Sequence, residues 1–180
     1  NTIYYENELK KLERLIVKIA EAKIDAIIAW DFGAIALAKK HGVEVFLSTQ
    51  ASVANALSAA QYFEKFGIRR FVLARECSLG DIAKIKRGML EKFGKDAEIK
   101  IEVFAHGAMC VSQSGRCFMS TFACGKSANR GECMQPCRRE YRIEDANGNG
   151  FVVGNGYVLS PKDLCTIGFI EKVLRRARTR

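Results

Sequence analysis

Three features of the sequence predict an α/β fold, a partial (β/α) barrel of about four βα units followed by a Cys-rich loop, a β-hairpin and a C-terminal helix. Between residues 26 and 106, short apolar runs alternate with helical patterns four times. The repeat recurs at a spacing of about 25 residues, room enough for the crossover that parallel neighbours need. No Gly-x-Gly-x-x-Gly follows any of the runs, so a dinucleotide-binding sheet has no support. A closed barrel of TIM type takes eight units and roughly 250 residues, so four units read as part of one.

Leu9, Leu12, Leu15, Ile16, Ile19 and Ala20 recur at helical spacing among Lys and Glu, which predicts an amphipathic helix over residues 6–22. Ala26 to Trp30 then reads as a strand, broken by Asp31-Phe32-Gly33, with a helix from Ala34 to Lys40. Trp30 and Phe32 are expected in the core. Val43 to Leu47 is the second strand, followed by a helix marked by Val53, Leu57, Ala60 and Phe63 and closed at Gly67. Phe71 to Ala74 is the third, with Ile82, Ile85, Met89 and Phe93 marking its helix. The fourth, Ile99 to Ala105, ends at His106-Gly107. Ligands of such sheets sit at the carboxyl ends of the strands, where Asp31, Gln50, Glu76 and His106 fall.

After His106 the periodicity stops. Residues 1–106 are therefore the partial barrel, and residues 107–180 a Cys-rich segment with hairpin and helix, read as part of the same domain. Arg138 to Glu144 and Phe151 to Leu159 flank Asn147-Gly148-Asn149-Gly150, a turn signal for a hairpin. Ser160-Pro161-Lys162-Asp163 has the form of a helix start, which would place Cys165 in opening helical turns. Phe169, Ile170, Val173 and Leu174 mark a last helix, and the chain closes on a basic tail, Arg175 to Arg180.

Composition excludes several classes. The 180 residues are 48% hydrophobic and 27% charged, the pattern of an ordinary globular protein. No apolar run approaches the roughly 20 residues that span a bilayer, and no secretory signal is legible, so a cytoplasmic location without membrane insertion is expected. The net charge of +9 is weighted toward the C-terminal part. A start at Asn1 directly before a helical pattern reads as a fragment of a longer protein. A half barrel missing its N-terminal units would expose strand edges, so a homodimer or an altered sheet is expected.

Six of the seven cysteines lie between Cys110 and Cys165. In a reducing compartment such clusters serve as metal ligands or catalytic groups rather than disulfides. Cys110-x6-Cys117, Cys133-x3-Cys137 and Cys165 offer soft thiolates, which select iron–sulfur clusters, zinc or copper(I). Only Cys133 and Cys137 approach a zinc knuckle, so an iron–sulfur cluster fits the spacing better and zinc is the alternative. Cys77 and Cys124 lack a partner at ligand spacing. His106 could move protons at the mouth. Gln50, Asn55, Arg75 and Glu76 are polar groups at strand ends, able to read a ligand or to shape the rim. The basic tail, with Arg138, Arg139 and Arg142, could meet RNA phosphates.

His106-Gly107-Ala108-Met109-Cys110, Ser114-Gly115-Arg116-Cys117 and the run from Ser127 to Arg138 resemble the signature of the collagenase-like peptidases, peptidase family U32. Ser48-Thr49-Gln50 with Asn55, Val72 to Glu76, and Leu159 to Cys165 resemble further motifs of that family. Two positions depart from it: Gln113, commonly aromatic there, and Cys124-Gly125-Lys126, where Gly-Arg is usual. The resemblance implies a TIM-type barrel carrying a [4Fe–4S] cluster and taking part in oxygen-independent hydroxylation of tRNA, rRNA or ubiquinone precursors. In the RNA cases it implies prephenate as a required metabolite. It also implies Cys110, Cys117, Cys133 and Cys165 as cluster ligands, with Cys137 in reserve. His106, Glu76 and Arg75 become candidate catalytic residues, and Gln50, Asn55, Asn129 and Arg130 candidate substrate contacts. Two alternatives stay open: a peptidase with Cys110 activated by His106, and a non-catalytic, metal-stabilised subunit that needs a partner.

Overall fold

The four apolar runs become a parallel sheet, and the first three strands are each followed by a helix that returns the chain to the sheet's other end. The structure, a computed structural model, describes residues 2–153 and 158–177. Helix α1 spans Leu9–Glu21 after a 3-10 turn at Glu6–Glu8, and then come β1 Ala26–Ala29, α2 Phe32–Lys40, β2 Glu44–Leu47 and α3 Ala56–Phe66. Strand β3 is Arg70–Val72, α4 is Leu79–Phe93 and β4 is Lys100–Glu102. The strands are all parallel, in the order β1-β2-β3-β4. A doubly wound sheet reverses its order part-way; this one does not, so successive right-handed crossovers lay their helices on one face. Accordingly α1, α2, α3 and α4 contact one another in sequence.

The register aligns Ile27 with Val45, Leu47 with Phe71, and Phe71 with Ile101. Val45, Leu47, Phe71 and Ile101 are buried with Ile16, Ile35, Ala59, Ile85 and Met89 from the helices. On the opposite face Ile28 is 49% exposed, and Arg70 lies over the Phe46 ring at 4.3 Å while pairing with Glu102. A closed barrel would turn that face inward. Here β1 and β4 remain the edges of the sheet, so the alternating parallel architecture is present without closure.

The crossover helices α2, α3 and α4 each start where a side chain takes over an unpaired backbone N–H. Asp31 accepts from the Ala34 amide at 3.0 Å, and Asn55 from that of Ser58 at 2.8 Å. Ser78 and Asp81 form a reciprocal capping box. Phe32, expected in the core, is 59% exposed, because its place in the first turn of α2 leaves it stacked on Tyr62 at the surface.

Beyond β4 the chain departs from the expected pattern in two places. The fourth strand stops at Glu102, and His106–Gly107 form a separate strand, β5. Helix α5, Met119–Cys124, follows, and then the hairpin of β6 Tyr141–Glu144 and β7 Gly150–Val153. Its turn is held by the Asp145 carboxylate, which accepts from the amides of Asn147 at 2.8 Å and Asn149 at 2.9 Å. The rest of the expected second hairpin strand includes residues 154–157, which lie outside the described residues. No helix starts at Ser160: Leu164–Cys165 form β8, antiparallel to β5, and Thr166 donates twice to the Ala105 carbonyl. Asp163 pairs with Arg138 at 2.7 Å instead of completing a cap. Helix α6 begins only at Ile170 and runs to Ala177, docked against α4 through buried Val173. Arg178 to Arg180 lie outside the described residues. Among the described residues, no helix is long and apolar enough to cross a membrane.

Candidate metal centre at the strand ends

A cavity of about 390 Å³ lies at the carboxyl ends of the sheet. Its floor comes from the chain just past the strands: Thr49 and Gln50 after β2, Arg75 after β3 and Phe104 after β4. Thr49 is fixed by donating to the Leu73 carbonyl at 2.9 Å. Gln50 is 8% exposed, and its carboxamide makes no hydrogen bond to the described residues. The Arg75 guanidinium sits 4.6 Å from the Phe104 ring centre, and its Nε is buried without a hydrogen-bond partner. An unpaired buried donor is costly, so this one is poised for an acceptor entering the cavity.

The roof is the Cys-rich segment. Cys110, Cys117, Cys133 and Cys137 all line the cavity. The Ser112 amide donates to Cys110 Sγ at 3.4 Å and the Met119 amide to Cys117 Sγ at 3.3 Å. Such N–H···S bonds stabilise thiolate charge and are among the contacts that tune metal–sulfur centres. Burial pushes the Cys137 thiol above its usual range; the neighbouring Cys110, Cys133 and Cys117 push it the same way, and Arg138 pulls it down. Four thiols this close disfavour one another's ionisation unless a cation sits among them. Among the described residues no three His, Cys, Asp or Glu side chains converge tightly enough to hold a single ion.

Cys165 stands elsewhere. It is exposed on β8, in register with the equally exposed His106 on β5, and is not part of the cavity lining. Among the described residues no hydrogen bond joins His106 to Cys110.

Polar residues flanking the thiols hold the roof in place. The Glu76 carboxylate accepts from the Ser114 amide at 2.9 Å and from its hydroxyl at 3.3 Å. Burial raises the Glu76 carboxyl, but these donors, its own amide and Arg75 together hold it below the ordinary value. Ser114 is fully buried in a left-handed conformation with φ of 49°, so the turn between Cys110 and Cys117 depends on that anchor. Asn129 accepts from the Cys117 amide at 3.2 Å through its side chain. Arg130 does not face the cavity: it forms a two-pronged pair with Glu8, donates to the Ile3 carbonyl and lies over the Tyr5 ring. Asn55 is occupied in capping α3. Of the residues singled out from the sequence, Gln50, Arg75 and the four thiols are thus brought together. Glu76 and Asn129 support them, and Asn55, Arg130, His106 and Cys165 lie outside. Ser120 and Arg138 were not singled out as supports. Ser120 Oγ donates to the Glu132 carbonyl at 3.4 Å and accepts from the Met134 amide at 2.9 Å, and Arg138 joins the Met109 carbonyl to Asp163. Both lie within four residues of a cysteine, the only local sign of such a role.

The model of Peptidase family U32 matches residues 1–177. The chain belongs to that family. Over 178 residues this U32 protein is 42% identical to an uncharacterized protease of Methanocaldococcus jannaschii and 39% identical to a collagenase of Porphyromonas gingivalis. It is 38% identical over 184 residues to the tRNA hydroxylation protein P of Helicobacter pylori. Each alignment takes in 97% of this chain but 42% of the relative, so the chain spans well under half the length of these curated proteins. No solved structure gave a significant match.

Proposed function

We propose that this U32 protein carries a [4Fe–4S] cluster in the cavity at the strand ends and takes part in oxygen-independent hydroxylation of tRNA or rRNA. The observation that supports it is the convergence of Cys110, Cys117, Cys133 and Cys137 on one cavity, two of them accepting backbone N–H donors. When bound, the cluster supplies one-electron chemistry beside the pocket. Arg75, with its unpartnered Nε, and Gln50 would grip the carboxylate of a small, prephenate-like co-substrate. Phe104 would pack against its ring, and Glu76 would hold the roof over it.

The name of the Helicobacter relative supports the RNA reading; that of the Porphyromonas relative supports proteolysis instead. A thiol peptidase needs a base within hydrogen-bond reach of its nucleophile. His106 is exposed and unbonded to Cys110, so the peptidase reading lacks a nucleophile–base pair among the described residues.

Anaerobic purification tests the cluster. A brown protein absorbing near about 400 nm, with iron and sulfide, supports it; a colourless protein with one zinc refutes it. Cys110→Ala, Cys117→Ala and Cys133→Ala should each abolish the absorbance. The fourth ligand separates family resemblance, which selects Cys165, from cavity geometry, which selects Cys137. Cys137→Ala and Cys165→Ala therefore decide whether β8 must move over the cavity when the cluster is loaded. The RNA reading falls if a deletion strain and its parent contain the same modified nucleosides.

A further inference from the structure

Helices α4 and α6 come from segments about 80 residues apart in the chain, yet they meet with like charge facing like. A groove of about 480 Å³ between them is bordered by Lys86, Arg87, Lys95, Arg175 and Arg176, against a single carboxylate, Glu91. Its floor includes Ala83 and Leu90. Arg175 reaches Glu171 at 3.6 Å, whereas the side chains of Lys86, Arg87, Lys95 and Arg176 make no ion pair or hydrogen bond to the described residues. Burial lowers the Lys86 ammonium below its usual range. Packing α6 here through Val173 therefore brings five cations together with only Glu91 and Glu171 to offset them, and an external anion would relieve the remaining repulsion. One phosphate needs only a few donors; five cations along an open groove suit consecutive phosphates of a polymer. An apolar floor under a cationic rim also suits sugar edges beneath a phosphate backbone.

We propose that the α4–α6 groove is a sequence-independent docking site for the sugar–phosphate backbone of the RNA substrate, separate from the thiol-lined cavity. The choice of RNA as the polyanion rests on the function proposed above. The groove lies along the second half of α4, whereas the cavity is at the strand carboxyl ends beyond the other end of that helix. The substrate would thus be held at two points, by its backbone on the outer wall and by its target nucleotide at the mouth.

The test measures binding of fluorescein-labelled bulk tRNA by anisotropy across a salt series. Arg87→Glu with Arg176→Glu should weaken binding at least tenfold at about 0.1 M salt and flatten the plot of log affinity against log salt by about 1.4 to 1.8, since each phosphate contact contributes roughly 0.7 to 0.9. Lys10→Glu with Arg14→Glu, the same change in net charge on α1, should leave the slope near the parent's. The Gln versions of Arg87 and Arg176 serve if the reversed pair misfolds. An unchanged slope in the groove variants overturns the proposal, as does an equal loss in the α1 pair. Loss of binding to anionic phosphatidylglycerol vesicles with tRNA binding intact would also overturn it. If the parent modifies RNA but the groove variants bind it normally, the groove alone is wrong. If the groove binds tRNA but no nucleoside depends on the protein, the hydroxylation reading is wrong and the groove stands.

Discussion

Glu76→Gln is the sharpest test of what the strand-end carboxylate does. It removes the charge from the group that anchors Ser114 by two hydrogen bonds, at 2.9 and 3.3 Å, while keeping its shape. Hydrogen bonds to charged groups contribute about 1.5–3 kcal/mol in favourable settings. Glu76 is exposed, so screening by solvent puts the loss at about 1–2 kcal/mol. For a chain of this size that corresponds to a fall in Tm of roughly 2–8 °C. The pH dependence has a definite sign. The folded carboxyl is held below its ordinary value, so its stabilisation is complete above about pH 4.3 and is lost as pH falls through the lower, folded value. The gap between parent and Glu76→Gln, measured by urea denaturation, should be full at pH 7 and close in strong acid. Coincident transitions at pH 7, or a gap that persists unchanged below pH 3, would refute the anchoring role.

Two further substitutions probe the scaffold. A Cβ at Gly88 would lie 2.7 Å from Ala56 Cβ, so Gly88→Ala should gain about 0.5–1 kcal/mol in helix propensity but lose about 1–3 kcal/mol to overpacking between α3 and α4. The expected outcome is a lower urea midpoint with an unchanged m-value. Glu8→Gln should accelerate amide exchange at Ile3, whose N–H bonds to the Asn129 carbonyl at 3.2 Å, with no change in helix content. The hydrogen bond from Arg130 holds the Glu8 carboxyl below its ordinary value, so this protection is present at neutral pH and disappears as acid protonates the carboxylate.

The parallel sheet was legible because each strand's apolar run and each helix's capping residue are local signals, and Asp31, Asn55 and Ser78 cap where the pattern changes. What stayed hidden depends on partners far away in sequence. Ser160 to Asp163 carries the residues of a helix start, but pairing of Leu164 and Cys165 with Gly107 and His106 overrides them. Arg130 sits in a Gly-rich signature and reads as a ligand contact, although its partner Glu8 lies 122 residues upstream. Asn129 has the same polarity but turns to the Cys117 amide, and nothing in its neighbours distinguishes the two roles. Spacing gathered the cysteines as a group. Which of Cys137 and Cys165 faces the cavity depends on the β5–β8 ladder, which no spacing rule encodes.

The roof segment has an energetic peculiarity that the sheet lacks. Across residues 107–140 the buried residues are Ser114, Ser120, Asn129 and Pro136, with no large apolar side chain among them, while Phe118 and Phe122 stand 67% and 87% exposed. Hydrophobic burial, the dominant favourable contribution elsewhere, is nearly absent there, and single hydrogen bonds of about 0.5–1.5 kcal/mol each must hold some thirty residues in place. Such a segment opens locally at low free energy unless something else ties it down. Four metal–thiolate bonds would do so, because the free energy of binding a metal centre is then also folding free energy for its loop. Hydrogen exchange measures this without reference to activity. In protein stripped of metal, amides of residues 107–140 should exchange far faster than those of β2 and β3, and cluster reconstitution should slow the first group while leaving the second unchanged. Equal protection of roof and sheet in the stripped protein would mean that the polar bonds suffice, and the structural need for an inorganic centre would be gone.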